Sequence, residues 1–259
     1  MMSYIKYACS QYFTWLGYIA TVIGLVAVVP FDEKYNYIAL VIVIACFALA
    51  FIIPFIIAMV RCKFKLITVG KSEILFEFGD LFKEKCFVIT TNRYFDVSPT
   101  GEWISPNSLL GIYVNKYFPN DTEQLVSLIS AELGSNVAPY EYGRTIKIKH
   151  DNKTVYLLAF TDRKKTEQPK DFYEKSLQGL FETIVNENHG EPIAIPLIGD
   201  NNNLSDSGFN SSIITFKCLM AMINSFDTRH QRSGIKLKIV ALPEKRAELI
   251  KIVHSYAKS

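Results

Sequence analysis

Histidine and cysteine are scarce in this sequence, with four and five residues among 259. His150, His189, His230 and His254 fall in separate segments, so no two share a helix face at ligand spacing. Metal ligation and a Cys-His nucleophile pair have no footing in such a pattern, and no metal is expected. Cys9, Cys46, Cys62, Cys86 and Cys218 form neither a Cys-x-x-Cys pair nor a disulfide ladder, as befits a reducing compartment. No basic block exceeds Arg163-Lys164-Lys165 and the net charge is only +3, so nucleic acid is not an expected partner. Internal repeats and low-complexity linkers are missing too.

Charge itself is missing from two long stretches. No residue is charged from Tyr7 to Phe31, and after Asp32-Glu33-Lys34 none is charged from Tyr35 to Val60. About 20 apolar residues suffice for a helix to cross a bilayer. The pattern predicts two transmembrane helices, at about 9–29 and 37–60, joined by a short external turn. The first run is too long for a signal-peptide core and ends at Val28-Val29-Pro30-Phe31 without a small-x-small cleavage site. Lys6 precedes the first run, and Arg61, Lys63 and Lys65 follow the second. The positive-inside rule then puts both termini in the cytoplasm of a multi-pass inner-membrane protein, with the lipid bilayer as a partner. Gly17, Ala20, Gly24 and Ala27 form a narrow face of small residues, of the kind along which helices approach closely in lipid.

The remainder, 66–259, is long enough to bury one core. Arg61 to Ser72 reads as a short basic linker, giving domains 1–65 and 66–259. Beyond it strands and helices alternate. Strands are predicted at Ile74–Phe78, Cys86–Thr91, Thr145–His150, Val155–Phe160, Ile193–Ile198 and Lys236–Leu242. Helices are predicted at Ser108–Phe118, Thr122–Leu133, Asp171–Asn188 and Ser211–Phe226, with a last one from Pro243 through Ala257. Asp151-Asn152-Lys153 marks a hairpin. Asn120-Asp121-Thr122 and Asn152-Lys153-Thr154 match glycosylation acceptors but read as turns on the cytoplasmic side. The fold class is an N-terminal transmembrane hairpin plus an α/β domain, a mixed sheet between helices.

Ligands of such sheets bind beyond the carboxyl ends of the strands. Three of those ends carry unusual chemistry: Gly79-Asp80, Thr90-Thr91-Asn92-Arg93, and Gly199-Asp200-Asn201-Asn202-Asn203. Glycine and asparagine tolerate left-handed backbone, which lets amides approach a phosphate. Tyr94 and Trp103 are candidates to stack on an aromatic ring.

These residues resemble the macro domain, the fold that binds ADP-ribose and its derivatives, over roughly Ser72 to Ser259. Gly79-Asp80-Leu81 is similar to the family's Gly-Asp-Ile element, whose carboxylate accepts a hydrogen bond from the adenine amino group. Val88-Ile89-Thr90-Thr91-Asn92 resembles the strand ending near the distal ribose, and Ile195-Pro196-Leu197-Ile198-Gly199 the strand entering the diphosphate loop. The glycine-rich first phosphate loop is replaced by Ser105-Pro106-Asn107-Ser108-Leu109-Leu110-Gly111, in which Gly111 alone offers a tight backbone approach. Asp200-Asn201 stands where Thr-Gly is common. Ile89 stands where hydrolytic macro domains have an asparagine.

Two apolar spans before such a domain also resemble the membrane effectors of type II Thoeris antiphage systems. That resemblance implies a receptor and not an enzyme, the alternatives being a membrane-tethered ADP-ribosyl hydrolase and an anchored adaptor that binds no nucleotide. Its ligand would be an ADP-ribose derivative, histidine joined to ADP-ribose, made by a partner TIR-domain enzyme. No cofactor is implied. The occupied receptor would form a homo-oligomer and disrupt the membrane. The implied ligand contacts are Asp80, Leu81, Thr91, Asn92, Arg93, Ser105, Asn107, Gly111, Gly199, Asp200, Asn201, Asn202 and Asn203.

Overall fold

The computed structural model describes residues 63–69, 72–98, 103–163, 171–199 and 234–246, the single positions 169, 222, 249, 250 and 253, and scattered helical positions between 17 and 56. Most of the two apolar runs lies outside the described residues, as does nearly all of the predicted Ser211–Phe226 helix. Among the described residues no helix is long and apolar enough to cross a membrane.

Seven strands form one sheet: β1 (Lys63–Val69), β2 (Ser72–Phe78), β3 (Cys86–Asn92), β4 (Thr145–His150), β5 (Lys153–Thr161), β6 (Ile193–Pro196) and β7 (Lys236–Ala241). Their spatial order is β1-β2-β7-β6-β3-β5-β4. The five inner strands run parallel, and β1 and β4 are antiparallel edges. Helices α1 (Leu109–Tyr117) and α2 (Thr122–Leu133) lie between β3 and β4 in sequence, and α3 (Phe172–Glu187) between β5 and β6.

Alternation along the strands divides the apolar side chains between two cores. Phe87, Ile89, Val155 and Leu157 pack with α1 and α2 on one face. Val88, Tyr156, Leu158 and Phe76 pack with α3 on the other, together with Met222, Leu249, Ile250 and Val253. Beyond α1 and α2 the sheet face turns polar. There Lys65 pairs with Glu73 at 3.0 Å, and Lys238 bridges Glu77 at 3.1 Å and Glu84 at 2.9 Å.

One expectation fails here. The stretch read as a basic linker is strand β1, paired to β2 from Lys63↔Glu77 to Val69↔Ser72. Phe64 and Leu66 point into the core, at 1% and 5% exposure. A domain boundary at 65/66 would cut this strand in two. The predicted strand to Ile198 stops at Pro196, which has no N–H for the ladder. Pro243 opens a 3-10 turn, Pro243–Lys245, before the helical positions that follow.

Candidate functional site

The carboxyl ends of the parallel strands lie in a row along one edge. In the order β2-β7-β6-β3-β5 that edge presents Asp80, Leu242, Gly199, Asn92 and Arg163. Neighbouring strands sit about 4.8 Å apart, so β2 and β3 are separated by roughly 14 Å and β2 and β5 by roughly 19 Å. The chain leaves β3 toward β5 on one side and returns to β6 on the other. This is the switch point at which a crevice opens in such sheets.

At one end of the row Asp80 caps a 3-10 turn, Leu81–Lys83, its Oδ1 accepting from the Phe82 amide at 2.9 Å. Its Oδ2 has no hydrogen-bond partner among the described residues. The Leu81 side chain is 5% exposed and packs under α1 and α2, which leaves its backbone as the part a ligand could meet. Next along the row, Gly199 has φ of +89°, the left-handed conformation that turns the chain away after β6. The preceding carbonyl, of Ile198, accepts from the Tyr173 hydroxyl at 2.9 Å. Asp200, Asn201, Asn202 and Asn203 lie outside the described residues.

The loop after β3 is tied down by its own side chains. Asn92 is 6% exposed, and its Oδ1 accepts from the amides of Tyr94 at 3.0 Å and Asp96 at 3.2 Å. Its Nδ2 donates to Asp96 Oδ2 at 2.8 Å. Arg93 donates to the Tyr140 carbonyl and to Asp162 Oδ2, the latter at 2.8 Å, and lies 4.6 Å over the Tyr142 ring. Burial is the largest single influence and opposes the guanidinium charge, but the hydrogen bond and charge of Asp162, together with Tyr142, outweigh it and raise the pKa. Arg93 therefore clamps loop to strand, with its charge turned to the protein. Thr91 is buried, and its hydroxyl has no partner among the described residues.

Beyond Asn92 stands an arrangement that the spacing does not reveal. Arg163, just past β5, donates Nε and one terminal nitrogen to the two Asp96 oxygens at 2.9 and 2.8 Å. The same guanidinium lies 3.8 Å from the Tyr94 ring and 5.6 Å from that of Trp103. The two aromatics expected to stack on a ligand ring thus hold a side chain of the protein. Alongside is a cleft of about 340 Å³ lined by Phe95, Asp96, Val97, Trp103, Thr122 and Val126.

Ser105 to Gly111 forms the start of α1. The Ser105 carbonyl accepts from the Ser108 amide and hydroxyl at 2.9 and 2.7 Å, and the Ser105 hydroxyl from the Asn107 amide at 3.3 Å. Ser108 caps the helix through the Gly111 amide at 3.0 Å. A Cβ on Gly111 would lie 2.3 Å from the Ser105 carbonyl oxygen. The tight approach at Gly111 is real, but its partner is this loop.

The family model described as Thoeris protein ThsA, Macro domain, matches residues 74–241. The chain belongs to that family. Solved macrodomains share the fold. The Oceanobacillus iheyensis macrodomain with ADP superposes at a TM-score of 0.50 with 16% identity, over 75% of this chain and 95% of that one. A glycine-to-valine mutant of the same macrodomain with ADPR gives 0.51 and 15%, over 75% and 97%. Comparison with curated proteins gives no match.

Within this macro domain the edge brings Asp80, Asn92, Arg93 and Gly199 into one row. Ile89, at the position where hydrolytic relatives were expected to carry an asparagine, is 0% exposed inside the α1/α2 core. Sequence reasoning missed Asp96, Asp162 and Arg163. A signal existed for the last two, since they directly follow an apolar strand at the same edge.

Proposed function

We propose that this chain is a membrane-anchored sensor of antiphage defence whose macro domain binds an ADP-ribose derivative without consuming it. The ligand in this reading is histidine joined to ADP-ribose, supplied by a TIR-domain enzyme. Occupancy drives homo-oligomerisation, and the apolar runs then disrupt the membrane. The observation that carries the reading is the row of loops: an exposed carboxylate beyond β2, a left-handed glycine beyond β6 and a buried, rigid asparagine beyond β3. That order suits an elongated ligand laid across the strand ends, adenine at Asp80 and distal ribose at Asn92. Ile89 favours binding over hydrolysis, since a buried aliphatic side chain neither moves a proton nor orients a water. Membrane anchorage is supported by the two uncharged runs. Where positions in the second run are described they are helical, and Ile42, Ile44, Leu49 and Ile56 are about half exposed or more, at 56, 60, 49 and 51%. Large apolar surface of this kind calls for a cover.

The test uses the full chain in detergent micelles and in liposomes. Calorimetry against ADP-ribose and histidine-ADP-ribose should show saturable binding, with the ligand recovered intact by chromatography. Ligand should also release dye from liposomes carrying the protein. Absence of binding removes the sensor reading, and steady turnover of ligand replaces it with a hydrolase.

A further inference from the structure

The segment that carries Asp80 is short and has little structure of its own. Residues 79–85 join the end of β2 at Phe78 to the start of β3 at Cys86, and their one regular element is the 3-10 turn after Asp80. Through the registers of β6 and β7, Phe87 lies level with Leu75, which puts Cys86 level with Ile74. The segment therefore descends by about four residues, roughly 13 Å, while it crosses about 14 Å of sheet. The gap is about 19 Å, against roughly 28 Å for eight fully extended steps, so one tight turn takes up most of the slack.

Two lysines from other strands hold this strap. Lys153, at the start of β5, donates from Nζ to the carbonyls of Phe82 at 3.0 Å and Glu84 at 2.8 Å. Phe82 is thus bonded to Asp80 through its amide and to Lys153 through its carbonyl. Lys238, on β7, donates to Glu84 Oε1 at 2.9 Å and lies 3.1 Å from Glu77 Oε2 on β2. Burial works against the Lys238 charge, but the hydrogen bonds and charges of Glu84 and Glu77 outweigh it and raise the pKa. Bonds from an ammonium are stronger than neutral ones, and both groups are half-buried. Lys153 opens β5 and so stands about 26 Å from the edge at which β5 ends, too far to touch a ligand there.

We propose that Lys153 and Lys238 are positioning residues for adenine recognition: by holding the strap they set where the Asp80 carboxylate stands. This rests on the sensor reading, in which that carboxylate accepts from the adenine amino group. A hydrogen bond weakens steeply with misalignment, so a strap released from its ties presents the carboxylate poorly even while the domain stays folded.

Calorimetry and thermal melts on the full chain in detergent, with ADP-ribose as the probe, test the assignment. Lys153→Met keeps the stem and removes the donors, and should weaken ADP-ribose by about three- to thirtyfold. In an Asp80→Asn background the same substitution should change affinity by less than about twofold, because the carboxylate it would misplace is already gone. Lys238→Met should behave likewise, and Lys238→Arg, which can bridge the same two glutamates, should recover most of the lost affinity. If Lys153→Met fails to fold, the Lys238 variants carry the same comparison. A lowered melting temperature with wild-type affinity, or an equal loss of affinity in both backgrounds, makes the lysines ties of the fold alone. Either result overturns the inference and leaves the sensor reading standing. Failure of the wild type to bind ADP-ribose overturns both.

Discussion

Asp80 has a folding role and, in the proposed function, a recognition role, and two substitutions separate them. One carboxylate oxygen caps the 3-10 turn through the Phe82 amide at 2.9 Å, and the other has no hydrogen-bond partner among the described residues. Asparagine caps about as well as aspartate, whereas alanine forfeits about 0.5–2 kcal/mol. Asp80→Asn should therefore leave the melting temperature near that of the wild type, while Asp80→Ala lowers it by a few degrees. Binding follows a different order. A hydrogen bond to a charged acceptor contributes about 1.5–3 kcal/mol, and Asp80→Asn replaces the other oxygen by either a neutral acceptor or a donor facing the adenine amino group. Both variants should lose roughly ten- to a hundredfold in affinity for ADP-ribose conjugates. Calorimetry beside thermal melts reads the two effects on the same samples. A folded Asp80→Asn with wild-type affinity would refute the adenine contact and, with it, the orientation of ligand along the strand ends.

Three further outcomes follow from particular contacts. Phe64→Ala should destabilise the macro domain by about 3–5 kcal/mol, because the ring is buried at 1% exposure; a chain starting at residue 66 should melt well below one starting at 61. Burial pushes the Cys86 thiol up to about 12, so the folded state keeps a proton that the unfolded chain releases near its ordinary value of 9.0. Stability should fall as pH rises between those values, and iodoacetamide at pH 8 should spare Cys86 until the protein unfolds, as mass spectrometry of the alkylated peptides would show. Gly24→Leu should preserve ligand affinity but abolish dye release, since a Cβ there meets no heavy atom within 4 Å in one chain and a bulky side chain on this face would keep helices of neighbouring copies apart.

Local chemistry was legible and long-range pairing was not. The hairpin at Asp151-Asn152 takes φ of +46° and +59°, both in the left-handed region that short hairpin turns require. Helix α2 starts on the Asp121 cap, with the Gln124 amide at 2.9 Å, and stops at Gly134 with φ of +62°, as its sequence predicts. Strand β1 was missed although Phe64 and Leu66 alternate with Lys63 and Lys65. The same lysines serve the positive-inside pattern, and their pairing with Glu77 and Glu73 becomes visible only with the β2 register in hand. The bidentate pair of Arg163 with Asp96 spans 67 residues. No spacing rule reaches that far, so Tyr94 and Trp103 read as ligand contacts when a side chain of the protein occupies the place.

The register of β1 also bears on how binding could act at the membrane in the proposed function. A ligand shifts an assembly equilibrium only by its differential affinity for the two states, and a change from about 1:99 to 99:1 takes roughly 5.5 kcal/mol. That energy must reach the apolar runs through covalent chain or packed contacts. The second run ends at Val60, and β1 begins at Lys63. Because β1 is antiparallel to β2, Lys63 lies opposite Glu77, three residues before Asp80. The chain therefore enters the macro domain at the same sheet edge that presents the Asp80 carboxylate, one strand away from it. Slack is small, since Phe64 is locked in the core directly after the entry point. Ordering of the Asp80 turn by a ligand would be felt first by the strand that continues into the second run, with no need for a path across the sheet.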